Sequence, residues 1–326
     1  MNQKIMANAP KVIKDFLGYL QTIKGKSPKT VDEYYLDLRT FFRFIKISKN
    51  LVCPNTPFNE ITIEDITIDL IKQINLTDLY DYLNYVLTER NNNASTRSRK
   101  ISSLKSFFKY LTNKTDLLEI DPTKELDMPK KKKSLPKFLT LEQSLDLLNC
   151  VNGIYHERDY CILTLFLNCG MRLSELVGIN LNDIRNNNTL KVIGKGNKER
   201  IVYLNDACVN ALQNYLKVRS NPNAGTSDKN ALFISKRKKR ISPKTVQALV
   251  YKYLNCIELD GQGYSVHKLR HTAATLMYQH GNVDIRILKD ILGHANLGTT
   301  EIYTHLSSKQ IEQAVSSNPL SKVKPR

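Results

Sequence analysis

Four short stretches hold residues whose types suit phosphate chemistry. "SVHKLRHTAAT" (265–275) places His267 and Arg270 three residues apart, so they neighbour each other on a helix surface. An imidazole that can hold or pass a proton, beside a planar fork of five N–H donors, fits phosphate oxygens. "GMRLSEL" (170–176) sets Arg172 at the end of an apolar run, with Glu175 three residues on to hold that guanidinium. A purely structural arginine–glutamate pair is the plainer reading of the same spacing. "GKGNKER" (194–200) presents Lys195 between two glycines, where a surface lysine at a turn is the ordinary outcome. "LGHANLGTTEIYTH" (292–305) adds His294 in a loop and Tyr303 nine residues later, one of 16 tyrosines in the chain. Taken alone, that tyrosine reads as a packing residue beside Ile302 and Leu306.

Several other chemistries are excluded by what surrounds these residues. His271 lies four after His267, but Lys268 stands where a zinc protease carries its glutamate, and Arg270 adds a second cation. No metal site is expected there. Between His267 and His305 the acidic residues are Asp284, Asp290 and Glu301, too few and too scattered for a two-metal nuclease. The glycines around Lys195 do not form a nucleotide-binding loop, and no GxSxG nucleophile elbow occurs. Phosphoryl chemistry here would use cationic side chains in place of a metal, an oxygen nucleophile and no cofactor.

The elements that must position these groups are legible in the periodicity. In "SPKTVDEYYLDLRTFFRFIK", Ser27 caps and Pro28 starts a helix whose core stripe runs through Val31, Tyr34, Tyr35, Leu38, Phe41, Phe42 and Ile45. "STRSRKISSLKSFFKYL" forms a second such helix with Ile101, Leu104, Phe108 and Leu111 inward, which leaves Arg97, Lys100, Lys105 and Lys109 for solvent or phosphate. With Arg39 and Arg43 of the first helix, these residues make two cationic faces on a small helical bundle, residues 1–115. At least one more helix lies between, and the role of residues 50–75 is left open. Residues 116–137, with Pro122, Pro129, Pro136 and the lysine run 130–133, read as an extended linker. Residues 138–326 form a second, mainly helical domain. In it Leu190–Ile193 and Ile201–Leu204 pair as a hairpin, a Ser242–Pro243 start precedes a helix carrying Lys244, and Ser265 caps a helix that Gly281 follows. The basic run at 236–240 is a further candidate backbone contact.

Composition points the same way. The 326 residues carry 49 Lys and Arg against 31 Asp and Glu, a formal net charge of +18. The excess is +7 over residues 1–115 and +10 over 138–326, with a nearly neutral connector between them. Two basic lobes suit a clamp on a polyanion whose affinity falls steeply with salt. Six cysteines without a CxxC pair read as buried reduced thiols in a reducing compartment. The absence of a signal peptide or a long apolar run indicates a cytoplasmic protein with no membrane partner.

In order and context, Arg172 in "GMRLSEL", Lys195 in the hairpin, His267 and Arg270 in "HKLRHTAAT", His294 in "LGHANLGTT" and Tyr303 in "YTH" resemble the tyrosine recombinases, the phage integrase family. The likeness continues through the N-terminal bundle and the linker and is greatest to the compact Xer type. It implies a SAM-like helical DNA-binding domain followed by a DNA breaking-rejoining catalytic domain, mainly α with a small antiparallel sheet. By this resemblance Tyr303 attacks the scissile phosphate, giving a 3′-phosphotyrosyl link. Arg172, Arg270 and His294 bind the phosphate, with Glu175 behind Arg172. His267 accepts or orients a proton, and Lys195 protonates the leaving oxygen. The partners implied are double-stranded DNA with paired inverted half-sites and a homotetramer, or a heterotetramer with a related recombinase. The role implied is chromosome partition at cell division. Integration of a mobile element, type IB topoisomerase action and catalytically silent DNA binding are the alternatives.

Overall fold

The computed structural model describes residues 8–130, 137–194, 196–220, 228–281 and 283–293, which fall into two compact units, 1–133 and 134–326. In the first unit, helices α1 (Lys11–Thr22), α2 (Pro28–Ser48), α3 (Ile68–Lys72), α4 (Leu76–Thr88) and α5 (Ala94–Asn113) enclose a core rich in aromatic rings. Ser27 accepts the Thr30 amide and Pro28 begins α2, as the capping pattern predicts. Phe41 meets Phe42, Tyr82 and Phe108 edge-on at centroid distances of 5.0–6.3 Å, an arrangement favoured by ring quadrupoles.

Residues 50–67 are folded against this bundle. Ile61, Ile63 and Ile66 are buried. Arg43 donates to the carbonyls of Ile61 (2.8 Å) and Asn59 (2.6 Å), and Lys46 pairs with Asp65 at 2.8 Å. The expected extended linker also begins later than its composition suggests. Leu118 and Leu126 are buried in the first unit's core, and Asp121 closes a turn onto Thr123, because apolar spacing overrides the prolines until Leu126. Lys131, Lys132 and Lys133 lie outside the described residues.

The two basic helices are joined by a buried carboxylate. Asp37 of α2, 1 % exposed, accepts from Arg99 (2.5 Å), Lys100 (3.1 Å) and Ser103 (2.8 Å) of α5. Lys100 is thus 7 % exposed and committed to an internal pair, contrary to its expected solvent-facing position. The physical reason is angular: Lys100 precedes Leu104 and Phe108 by whole helical turns and so sits on the core stripe. Removing one partner of a buried pair strands the other charge. Asp37→Ala is expected to lower stability by about 3–5 kcal/mol, read from urea denaturation of the full chain; a loss below about 1 kcal/mol would show that water screens the pair.

The second unit is built round α7 (His156–Cys169), where ten of fourteen residues are buried. Helix α6 (Leu141–Asn149) is started by a Thr140–Gln143 capping box. After α8 (Leu173–Gly178) comes a three-stranded antiparallel sheet, order β1-β2-β3: β1 (Ile184–Arg185), β2 (Thr189–Ile193) and β3 (Glu199–Tyr203). The predicted hairpin is β2–β3, in register from Thr189 opposite Tyr203 to Ile193 opposite Glu199. Strand β1 is an addition too short to show periodicity. Helices α9 (Asp206–Val218), α10 (Pro243–Cys256), α11 (Val266–His280) and α12 (Ile285–Leu292) complete the described residues. Ser265 stands at the N-cap of α11 in extended backbone but makes no side-chain cap bond. Of the thiols expected to be buried, Cys53 and Cys256 are exposed and Cys150 is half-buried, while Cys161, Cys169 and Cys208 lie in the core. Among the described residues no helix is long and apolar enough to cross a membrane.

Candidate active site

Helix α7 stops at Gly170, whose φ of +57° is the left-handed cap that glycine adopts without strain. A Cβ there would lie 2.7 Å from Leu292 Cδ2, so glycine also lets α12 approach. Two residues later Arg172 takes extended backbone as the N-cap of α8. Its amide donates to Glu175 Oε2 (2.8 Å), its Nη1 to Glu175 Oε1 (2.7 Å) and its Nη2 to the Gly293 carbonyl (2.8 Å). Arg270, 3 % exposed on α11, sends Nη1 to the Gly170 carbonyl (2.8 Å) and Nη2 to the Leu292 carbonyl (2.6 Å). Neither arginine lies loosely on the surface, and both end on the same helix terminus.

A third guanidinium, absent from the sequence expectations, completes the cluster. Arg200 of β3 donates Nη2 to Glu175 Oε2 (2.9 Å) and Nη1 to the Ile291 carbonyl (2.6 Å). The successive carbonyls of Ile291, Leu292 and Gly293 therefore each accept from a different arginine. That is where a helix carries its partial negative charge. Glu175, 1 % exposed, sits between Arg172 and Arg200. Burial alone would raise its pKa, but hydrogen bonding and charge from Arg200, then from Arg172, outweigh burial and hold the carboxyl below its usual range.

His267 is exposed beside this cluster, its ring edge-on to His271 at 4.8 Å. Partial burial, then the charges of Arg270, Lys268 and Arg172, push its pKa below 6.5. It is therefore neutral at pH 7 and can accept a proton. Any step that needs the neutral ring should fail as pH falls through this lowered value, so the acid limb of the rate profile should lie below 6.5. Lys268→Ala removes one opposing charge and should move that limb upward in a single-turnover pH series; a downward shift or an unmoved midpoint would refute the assignment.

Of the six residues singled out by sequence, the structure brings Arg172, His267 and Arg270 together. Lys195, His294 and Tyr303 lie outside the described residues, although the residues preceding the first two are informative. A Cβ on Gly194 would lie 3.4 Å from Glu175 Oε1 and 3.9 Å from Arg172 Nη1. One on Gly293, at φ +64°, would lie 2.9 Å from Arg200 Cδ and 3.8 Å from Arg172 Nη1. Gly194 and Gly293 thus both lie beside Arg172. Among the described residues no group of three or more His, Cys, Asp or Glu is arranged to hold a metal ion.

The six DNA-facing candidates divide. Lys244 is exposed on the first turn of α10, and Lys105 is half-buried on α5. Arg97 donates to the Asn92 carbonyl at 2.7 Å, and Arg39 lies over the Tyr35 ring at 5.7 Å. Arg43 has taken the internal role described above, as has Lys100. Arg39 and Arg43 line one cavity of about 380 Å³ with Glu60 and Glu64, a mixed-charge setting unlike a bare cationic face.

An α-helical unit followed by a second unit with two arginines, a histidine and a carboxylate at one helix end defines a class. The chain belongs to the phage integrase family, the tyrosine recombinases. Its residues 137–310 match the Phage integrase family and residues 12–115 match the Phage integrase N-terminal SAM-like domain. It is 54% identical to Tyrosine recombinase XerC of Caldanaerobacter subterraneus subsp. tengcongensis over 96% of this chain and 88% of that protein. To Tyrosine recombinase XerC of Thermodesulfovibrio yellowstonii it is 35% identical, over 97% and 99%. The fold is shared with the XerH site-specific recombinase bound to a palindromic difH substrate (TM-score 0.67, 21% identity, 94% of each chain). It is shared also with the Tn1549 transposon integrase in complex with transposon right end DNA (TM-score 0.70, 17% identity, 93% and 98%).

Proposed function

We propose that the chain is a site-specific DNA recombinase of Xer type, which cleaves and rejoins strands through a 3′-phosphotyrosyl intermediate. The observation that carries this reading is the convergence of Arg172 and Arg270 on the end of α12, with His267 near enough to feel the charge of both. In this reading the Tyr303 hydroxyl attacks phosphorus, the bond to the 5′ oxygen breaks, and the phenolic proton passes to His267. Lys195 supplies the proton to the departing oxygen. Ionising a tyrosine of pKa about 10 at neutral pH costs about 4 kcal/mol. Hydrogen bonds to charged groups contribute about 1.5–3 kcal/mol each, so two arginines and His294 on the phosphate offset that cost. One phosphodiester is exchanged for another, and a 5′ hydroxyl from a second strand reverses the step without ATP.

The mainly helical first unit serves as the core-binding domain and residues 138–326 as the catalytic domain. Double-stranded DNA with paired inverted half-sites is the substrate, held by a homotetramer or a heterotetramer with a related recombinase. Identity to two proteins called Tyrosine recombinase XerC supports a cytoplasmic role in chromosome-dimer resolution and partition over mobility of an element.

The test uses an inverted-repeat duplex that the protein itself selects from a random pool, nicked just 3′ of the scissile phosphate so that the short 5′-hydroxyl fragment escapes. Wild type should accumulate a covalent protein–DNA adduct and Tyr303→Phe none. An adduct that survives Tyr303→Phe would overturn the proposal.

A further inference from the structure

We infer that Arg200 is a positioning residue for strand cleavage: by reaching both oxygens of Glu175, Nη2 to Oε2 at 2.9 Å and Nε to Oε1 at 3.5 Å, it keeps Arg172 from closing on that carboxylate and leaves Arg172 available to phosphate. The inference rests on reading Arg172 as a phosphate ligand.

Strand alternation puts Arg200 on the inward face of β3 with Val202, and its side chain is 15% exposed. Its bonds to Glu175 Oε2 and to the Ile291 carbonyl span the carboxylate and the end of α12. Its stem lies against Gly293, one residue before His294. Arginine and carboxylate left to themselves favour a fork-to-fork bidentate pair. Here that pair does not form: Arg172 Nη1 holds Oε1, its Nη2 goes to Gly293, and its side chain does not take Oε2, which receives the Arg172 amide and the second guanidinium. A single buried carboxylate needs only one cation for neutrality. The second makes the cluster net cationic, which suits an incoming phosphate and does nothing for an isolated ion pair. With Arg200 gone, Arg172 can rotate both Nη groups onto Glu175, and its donors are lost to the substrate.

The mechanism predicts suppression. Single-turnover adduct formation on the nicked duplex should slow about a hundredfold in Arg200→Gln, with the DNA dissociation constant of the full chain little changed. Adding Glu175→Gln removes the carboxylate that captures Arg172, so the double variant should cleave about tenfold faster than Arg200→Gln alone. A merely structural pair predicts the opposite order. Arg200→Gln within threefold of wild type, or no recovery in the double variant, would overturn the inference. Should Arg200→Gln not fold, Arg200→Lys, which keeps the charge on one donor, is judged by the same two criteria. Arg172→Gln separates the two levels. If it cleaves like wild type, the reading of Arg172 falls and this inference with it; if it is inactive while Arg200→Gln is not slowed, only the inference falls.

Discussion

Arg270→Lys is expected to slow covalent adduct formation by about 10²–10³-fold, the range for removing one pre-set donor to a developing anion. DNA binding should change little, because the many other cations of this +18 chain carry most of the salt-dependent affinity. The argument is geometric. Arg270 is 3 % exposed and its two Nη groups reach carbonyls on different elements, Gly170 and Leu292, which fixes the plane of the guanidinium. A lysine ammonium is one point with no plane, so it cannot span both carbonyls and present a fixed edge as well. The measurement is single-turnover cleavage beside a filter-binding isotherm. Cleavage within threefold of wild type would show that charge alone suffices at this position.

Glu175→Gln should cost stability as heavily as Asp37→Ala. The side chain has no exposure and accepts from Arg172 and Arg200, so the amide leaves two guanidinium groups facing each other without a counter-charge. Breaking a buried pair in this way costs about 3–5 kcal/mol. The pH dependence follows from the lowered folded pKa of Glu175. A depressed carboxylate contributes stability that is fully present above its unfolded value of about 4.3 and is lost as pH falls through the folded value. Wild type should therefore lose stability on acidification below about pH 4, and the glutamine variant should lose less over that interval. Urea titrations at pH 7 and in the acid range check both parts. Equal stability at pH 7, or an acid slope unchanged by the substitution, would place the carboxylate outside the cluster's energetics.

Much of this is legible in the sequence, and the exceptions share a cause. Ser27–Pro28, Thr140 and the β2–β3 hairpin are local signals, in which a cap or an alternation needs only its neighbours. Arg172, His267 and Arg270 are singled out by spacing, and the structure brings the two arginines to one helix end, with His267 close enough to feel their charge. The charge of Lys100 points to solvent, whereas its angle on the helix puts it on the core face. Asp37, a whole turn before Phe41, carried the same signal on the facing helix. Arg200 was missed although β3 held a clue: an arginine at an inward strand position beside Val202 must find buried acceptors. No local pattern could reveal that those acceptors are Glu175, 25 residues earlier, and Ile291, 91 residues later.

The three arginines that end on α12 have a thermodynamic consequence. This helix has eight residues, and its own buried apolar cluster is small, Ala274 with Leu288 and Leu292. Its terminus is held largely by Arg200, Arg270 and Arg172, two of which are proposed above as phosphate ligands. On that proposal, helix end and substrate are two ligands of the same guanidinium groups, and linkage between them is reciprocal. By whatever factor an ordered terminus raises the affinity for phosphate, bound phosphate raises the population of that ordered terminus. The two arginines proposed to grip the substrate would therefore also couple its binding to the turn at Gly293.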